Sequence, residues 1–226
     1  MYKLILIDAD RTLFDFDRAE IHSIEQALKS NNITENLEVI VPRYKIINME
    51  LWKLLEQGGI KKSILRSERF KRLFDEFNID LDPVRFGDEY LNNLSNNGFI
   101  IEGAKELCDY LHSKYKLVIL TNGIKEVQDR RLAISELTPF IDDMVVSDEA
   151  GIPKPNPAIF DYTLGKIGHY EKSEMLMIGD SLTSDILGGI NYSIDTVWYN
   201  SDASPSIDGI NPTYTITDLK ELYSLL

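Results

Sequence analysis

Six short apolar runs punctuate the chain: "KLILI" (3–7), "KLVIL" (116–120), "DMVVS" (143–147), "MLMIG" (175–179), "TVWY" (196–199) and "TYTIT" (213–217). Most are nearly continuous in apolar side chains, the pattern of strands covered on both faces. Helical periodicity fills the intervals at 103–114, 124–137, 156–168, 183–191 and 218–226. Strand and helix alternate, which predicts an α/β fold with a Rossmann-like, doubly wound parallel sheet.

Residues 17–96 break the alternation. They are helical throughout, with Ile47, Leu51, Leu54 and Leu55 on one face and Phe70, Leu73, Phe74 and Phe77 on another. "GG" (58–59) and "DLDP" (80–83) divide this block into several helices. A helical stretch of roughly 80 residues between the first two strands is too large for a crossover. It reads as an all-helical cap inserted over the carboxyl edge of the sheet. The expected organisation is a catalytic core of residues 1–16 and 97–226, with the cap at 17–96. "NSDASPSIDGINP" (200–212) is a polar, turn-rich loop before the last strand.

Bulk properties exclude several functions. Lys and Arg number 24 against 37 Asp and Glu, a net charge of −13, and such a surface repels nucleic-acid phosphates. No apolar run approaches the ~20 residues of a membrane helix. Asp8 cuts the first run too early for an export signal, so a cytoplasmic address is expected. Cys108 is the only cysteine and reads as a core residue. Monomer and homodimer both stay open.

Charge at the mouth of a buried strand is costly without a partner, yet Asp8 and Asp10 follow the first strand directly. In open α/β sheets, ligands bind beyond the carboxyl ends of the strands. Asp8, Asp10 and Thr12 lie there after strand one, and "TNG" (Thr121, Asn122, Gly123) after strand two. Lys154 of "GIPKPNP" follows strand three, and Asp180 and Asp185 of "GDSLTSD" follow strand four. Singly, these are ordinary: a turn, a solvated lysine, a helix cap. Together, carboxylates gathered on one edge call for a cation, and hard oxygen ligands suit Mg²⁺. A nearby lysine and hydroxyl then have an anion to bind, and phosphoryl transfer needs all of these parts.

Hydrolysing a phosphate monoester takes more than ~20 kcal/mol of barrier reduction, and an aspartyl-phosphate intermediate divides the task. Asp8 is the expected nucleophile, with its other oxygen on the metal, and Asp10 the acid and then base. Lys154 and Mg²⁺ offset the repulsion between anions, while Thr121 and the amides around Asn122 hold phosphoryl oxygens.

"DADRT", "TNG", the lysine of "KPNP" and "GDSLTSD" resemble, in order, the four motifs of haloacid dehalogenase superfamily phosphatases. The resemblance implies Asp8 as nucleophile, Asp10 as acid/base, and Thr121 and Lys154 on phosphate. It implies Mg²⁺ held by the Asp8 carboxylate, the Asp10 main-chain carbonyl and Asp180, with Asp185 orienting metal-bound water or Lys154. "DADRTLFDFDRAE", "KPNPAIFDYTL" and "GDSLTSDILGGINYSIDTVWYN" look like the bacterial pyrimidine 5′-nucleotidase subgroup, which dephosphorylates nucleoside monophosphates such as dUMP and dTMP. Arg11 departs from that likeness, since relatives commonly carry Gly or an acid there. It is either a surface arginine near the cap hinge or extra positive charge for anionic substrates.

The main alternative is a phosphatase for sugar phosphates or other small phosphorylated metabolites. A 2-haloacid dehalogenase would lack the second acid at Asp10, and a phosphoacceptor signalling domain would carry its acceptor after the third strand. Phe14, Phe16, Tyr44, Trp52 and Tyr90 are candidates for stacking on a base, or equally the cap's own core. His22, His112 and His169 have no partner at ligand spacing and receive no role.

Overall fold

The computed structural model describes residues 1–56 and 58–226. Six strands form one wholly parallel sheet: β1 (Leu4–Ile7), β2 (Lys116–Thr121), β3 (Asp143–Val146), β4 (Met175–Gly179), β5 (Asp195–Tyr199) and β6 (Tyr214–Ile216). Their order is β3-β2-β1-β4-β5-β6. The chain winds outward from β1 to β3, then returns to lay β4 on the other side of β1. The direction of winding therefore reverses between β1 and β4, the position where open α/β sheets bind ligands.

All four β1 residues are fully buried. Ile5 and Ile7 join Leu117, Ile119, Leu176 and Ile178 on one face, while Leu4 and Leu6 join Val118, Leu120, Met175 and Met177 on the other. Each such side chain contributes roughly 1.5–3 kcal/mol by leaving water, which is why these strands read as unbroken apolar runs. Cys108 packs in the first of these cores, where burial pushes its thiol up to about 12, so it serves packing rather than reactivity.

Contacts divide the chain into Met1–Phe16 with Gly98–Leu226, and Asp17–Asn97. The second body is built from four helices: α1 (Phe16–Ser30), α2 (Leu37–Glu56), α3 (Lys62–Phe77) and α4 (Pro83–Ser95). The breaks between them have local causes. Asn78 ends α3 in the left-handed conformation, with φ 52°. Asp82 caps α4 by accepting from the Val84 amide at 2.8 Å, with Pro83 in the first turn.

Its core is aromatic. Tyr44 stacks on Phe70 at 5.5 Å between centroids, and Phe74 meets Phe86 edge-on at 5.0 Å. Tyr44 and Tyr90 are fully buried there and Phe14 is buried in the sheet domain, which removes all three from the candidates for stacking on a base. Phe16 and Trp52 keep partial exposure. The buried stripe of α2 runs through Tyr44, Asn48 and Leu51, so Leu54, expected inside, is 38% exposed, about 100° round the helix from Leu55. A polar chain crosses the same core: Asn48 Nδ2 donates to Glu20 Oε1 at 2.7 Å, and Arg69 Nη1 donates to Asn48 Oδ1 at 3.1 Å.

The remaining helices flank the sheet: α5 (Ala104–His112), α6 (Lys125–Ile134), α7 (Ser147–Ala150), α8 (Ala158–Ile167), α9 (Leu187–Tyr192) and α10 (Leu222–Leu225). Several boundaries differ from the periodicity, among them 218–226, which is a 3-10 turn (Leu219–Glu221) followed by the short α10. Ser147, expected to end β3, instead begins α7. α6 stops at Ile134, where Ser135 turns extended with ψ 160°, and a 3-10 turn with Pro139 in its first turn follows at Thr138–Phe140. The stretch 183–191 opens as a π turn, Leu182–Ile186, in which the Ser181 carbonyl accepts from the amides of both Asp185 and Ile186. Among the described residues, no helix is long and apolar enough to cross a membrane.

Candidate active site

β1 delivers Asp8 to the edge. Ile7 lies level with Ile119 and Ile178, and the Asp8 amide continues the ladder to the Ile178 carbonyl at 2.8 Å. Asp8 is thereby fixed between the ends of β2 and β4.

Lys154 arrives from the loop after α7 and is almost wholly buried. Its ammonium lies 2.6 Å from Asp8 Oδ1 and 2.6 Å from Asp185 Oδ1, and donates to the Leu120 carbonyl. The ammonium thus donates to Asp8 and to the Leu120 carbonyl, with Asp185 at ion-pair distance. Asn122 explains how the loop is held. Its Oδ1 accepts from the Lys154 amide at 2.8 Å and its Nδ2 donates to the Lys154 carbonyl at 3.0 Å. The Asn122 side chain therefore ties the second motif to the third. Burial alone would lower the pKa of Lys154, but the charges of Asp185 and Asp8 and their hydrogen bonds raise it, so it stays an ammonium.

Carboxylate oxygens of Asp8, Asp180 and Asp185 lie within 4.8 Å of one another. Burial, reinforced by the charges of Asp185 and Asp180 and opposed by Lys154, raises Asp8 well above the ordinary carboxylate range. Asp180 is pushed up to about 7, by burial first and then by Asp185, with Arg11 and Lys154 acting against. One ammonium cannot neutralise three acids. The surplus of negative charge on hard oxygen donors is what a divalent ion such as Mg²⁺ would balance. Asp185 is further held by the Ser181 amide, 3.0 Å from Oδ2, and the Asp180 carbonyl accepts from Trp198 Nε1 at 2.8 Å.

Asp10 stands outside this group of three. Its Oδ2 accepts from Gln128 Nε2 at 2.6 Å, and its Oδ1 is paired with Arg131. Thr121 is buried and its Oγ1 accepts from the Gly123 amide at 3.2 Å. Among the described residues, the buried Thr12 hydroxyl has no hydrogen-bond partner. Arg11 is exposed and has φ 61°, a left-handed conformation that costs a non-glycine residue about 1 kcal/mol.

Two glycines of the motifs are needed for close approach. A Cβ on Gly179 would fall 2.3 Å from Asp185 Cγ, and one on Gly123 would fall 2.4 Å from Gln128 Nε2. Gln128, Arg131 and Trp198 are site residues that sequence reasoning passed over. The first two share a face of α6, three residues apart directly after "TNG", and that spacing was the available signal. His112 and His169 pair with Asp142 and Glu171, away from the carboxylates, and His22 belongs to the helical body.

The model of the haloacid dehalogenase-like hydrolases matches residues 2–192. The chain is 36% identical to the pyrimidine 5′-nucleotidase PynA of Streptococcus pneumoniae, covering all of this chain and 95% of that protein. It is 34% identical to the pyrimidine 5′-nucleotidase YjjG of Escherichia coli, covering 98% and 96%. The magnesium-bound crystal structure of the HAD-hydrolase YfnB of Bacillus subtilis, 35% identical, superposes with a TM-score of 0.94 over all of this chain and 98% of that one. The chain belongs to the haloacid dehalogenase-like hydrolases.

Proposed function

We propose that this hydrolase is a Mg²⁺-dependent cytoplasmic phosphatase that acts through an aspartyl-phosphate on pyrimidine nucleoside monophosphates such as dUMP, dTMP and UMP. The observation that carries the chemistry is the Asp8 carboxylate, placed at a strand end beside Lys154 and within 4.8 Å of Asp180 and Asp185. Its family and its full-length likeness to PynA and YjjG make the chain a phosphoric monoester hydrolase, and the choice of pyrimidine nucleotides rests on that likeness alone.

One oxygen of Asp8 attacks phosphorus as the ester P–O bond breaks, and the departing alkoxide takes a proton from Asp10. Water then attacks phosphorus and passes its proton to Asp10, releasing inorganic phosphate and restoring Asp8. Lys154 offsets repulsion between Asp8 and the dianionic ester, while Thr121 and the amides around Asn122 hold phosphoryl oxygens. Asp185 keeps Lys154 in place through the 2.6 Å pair. Mg²⁺, held by the Asp8 carboxylate, the Asp10 carbonyl and Asp180, would supply charge neutralisation at the phosphoryl group. Helices of the Asp17–Asn97 body are assigned to choosing the alcohol part of the ester, acting as a cap.

Phosphate release from nucleoside monophosphates, sugar phosphates and small phosphorylated acids, each with Mg²⁺, tests the reading. A preference for dUMP, dTMP or UMP over purine nucleotides and sugars is expected. A preference for sugar phosphates would replace the nucleotide assignment, and no release from any ester would overturn the phosphatase.

A further inference from the structure

We infer that Gln128 and Arg131 are positioning residues that hold the Asp10 carboxylate in the orientation needed to protonate the leaving group, an inference that rests on the phosphatase reading. Their side chains are 2% and 0% exposed, so neither is a solvated surface group. Both come from one face of α6 and take one carboxylate oxygen each, Gln128 Nε2 at 2.6 Å from Oδ2 and Arg131 on Oδ1. With each oxygen bound by a different donor, the carboxylate cannot turn about its last torsion without breaking a hydrogen bond. Each oxygen has a second lone pair, so the clamp fixes the group's direction without using up its capacity for a further hydrogen bond.

The arms are themselves fixed. Arg131 lies with its guanidinium carbon 4.6 Å from the Phe14 ring centroid and 5.9 Å from that of Phe16, which sets its plane. Its Nη1 also lies 3.5 Å from Gln128 Oε1, an arrangement that turns the amide nitrogen of Gln128 toward Asp10. Gln128 reaches Asp10 by crossing Gly123, where any Cβ would fall 2.8 Å from its Cγ. The third residue of "TNG" thus serves Asp10, and the segment carrying Thr121 also carries the clamp. Phosphate site and proton donor are in this way set by one continuous piece of chain, 121–131.

The alternative is a purely structural pairing, in which Asp10 neutralises a buried arginine and the orientation has no consequence. Leaving-group chemistry separates the two. An alkoxide needs a proton as it departs, whereas p-nitrophenolate leaves without one. kcat/KM covers steps only up to the first irreversible one, here transfer of phosphoryl to Asp8, so the later hydrolysis does not enter.

The test compares the unmodified chain with Gln128→Met, which removes the amide at similar volume, and with the shortened Gln128→Asn. kcat/KM is measured for p-nitrophenyl phosphate and for the best alkyl monoester of the phosphate-release screen, with thermal melts as a check of folding. A misplaced proton donor predicts a loss of about 100-fold for the alkyl ester and under about 5-fold for the aryl ester. Equal losses for both esters, or no loss, in a variant with an intact melting transition would overturn the inference while leaving the phosphatase standing. No turnover of either ester by the unmodified chain would overturn both together.

Discussion

Lys154 reaches Asp8 across 146 positions of sequence, Nζ to Oδ1 at 2.6 Å, and the same ammonium lies 2.6 Å from Asp185. Both carboxylates therefore depend on one buried cation, carried by the segment that follows β3 and α7. Removing either partner of such a group changes electrostatics and chemistry together, and the two effects can be measured apart.

Asp8→Asn keeps shape and removes the nucleophile. Turnover should fall by more than about 10⁴-fold. Because burial already disfavours the ionised form of Asp8, the metal-free melting temperature should hold or rise. Substantial phosphate release by the variant would remove Asp8 from the reaction.

Gly179→Ala introduces a Cβ 2.3 Å from Asp185 Cγ, so Asp185 must move. The Asp185–Lys154 pair opens, and kcat should drop at least about 100-fold. A variant as active as the original, with an unchanged melting temperature, would show that this close approach has no functional weight.

Asp180 gives the site a pH signature. Its ordinary value of 3.8 is raised to about 7 in the metal-free fold. The protonated form therefore favours folding: that contribution is complete below 3.8 and is lost as pH rises through about 7. A cation needs the ionised form, so apparent Mg²⁺ affinity should weaken about tenfold for each pH step of one below 7. Titration calorimetry across about pH 5.5 to 8 reads this directly, and an affinity independent of pH would contradict it.

Arg11 is exposed, and its charge acts on Asp180. Arg11→Glu should raise KM for an anionic ester about 3- to 10-fold with a smaller change in kcat, in line with a surface charge interaction of about 1 kcal/mol. An unaltered KM would leave Arg11 as a surface residue only.

In the helical body, Asn48→Leu removes the link between Glu20 and Arg69, whose side chains are both buried. The expected cost is about 2 kcal/mol, visible as a melting temperature several degrees lower. Retention of the original midpoint would mean that the polar chain contributes nothing to stability.

Architecture was legible in the order of residues because burial on both faces forces continuous apolar runs, and Leu4–Ile7 or Met175–Gly179 satisfy that demand locally. The acids and the lysine at the strand ends were legible too, since parallel strands all present their carboxyl ends to one edge. Side-chain direction was not. Asn122 could be placed beside the site, but only the folded chain shows its amide holding Lys154 rather than facing outward. Gln128 and Arg131 carry no local sign of burial in the sequence. Their burial follows from the way α6 packs over Gly123 and Phe14, a relation between segments that no local periodicity encodes. Patterning along the chain thus determined which elements form and where their ends meet, while packing in three dimensions decided which oxygen each donor finds. The physical reason is range: hydrophobic periodicity is a property of neighbours in sequence, and hydrogen-bond geometry is a property of neighbours in space.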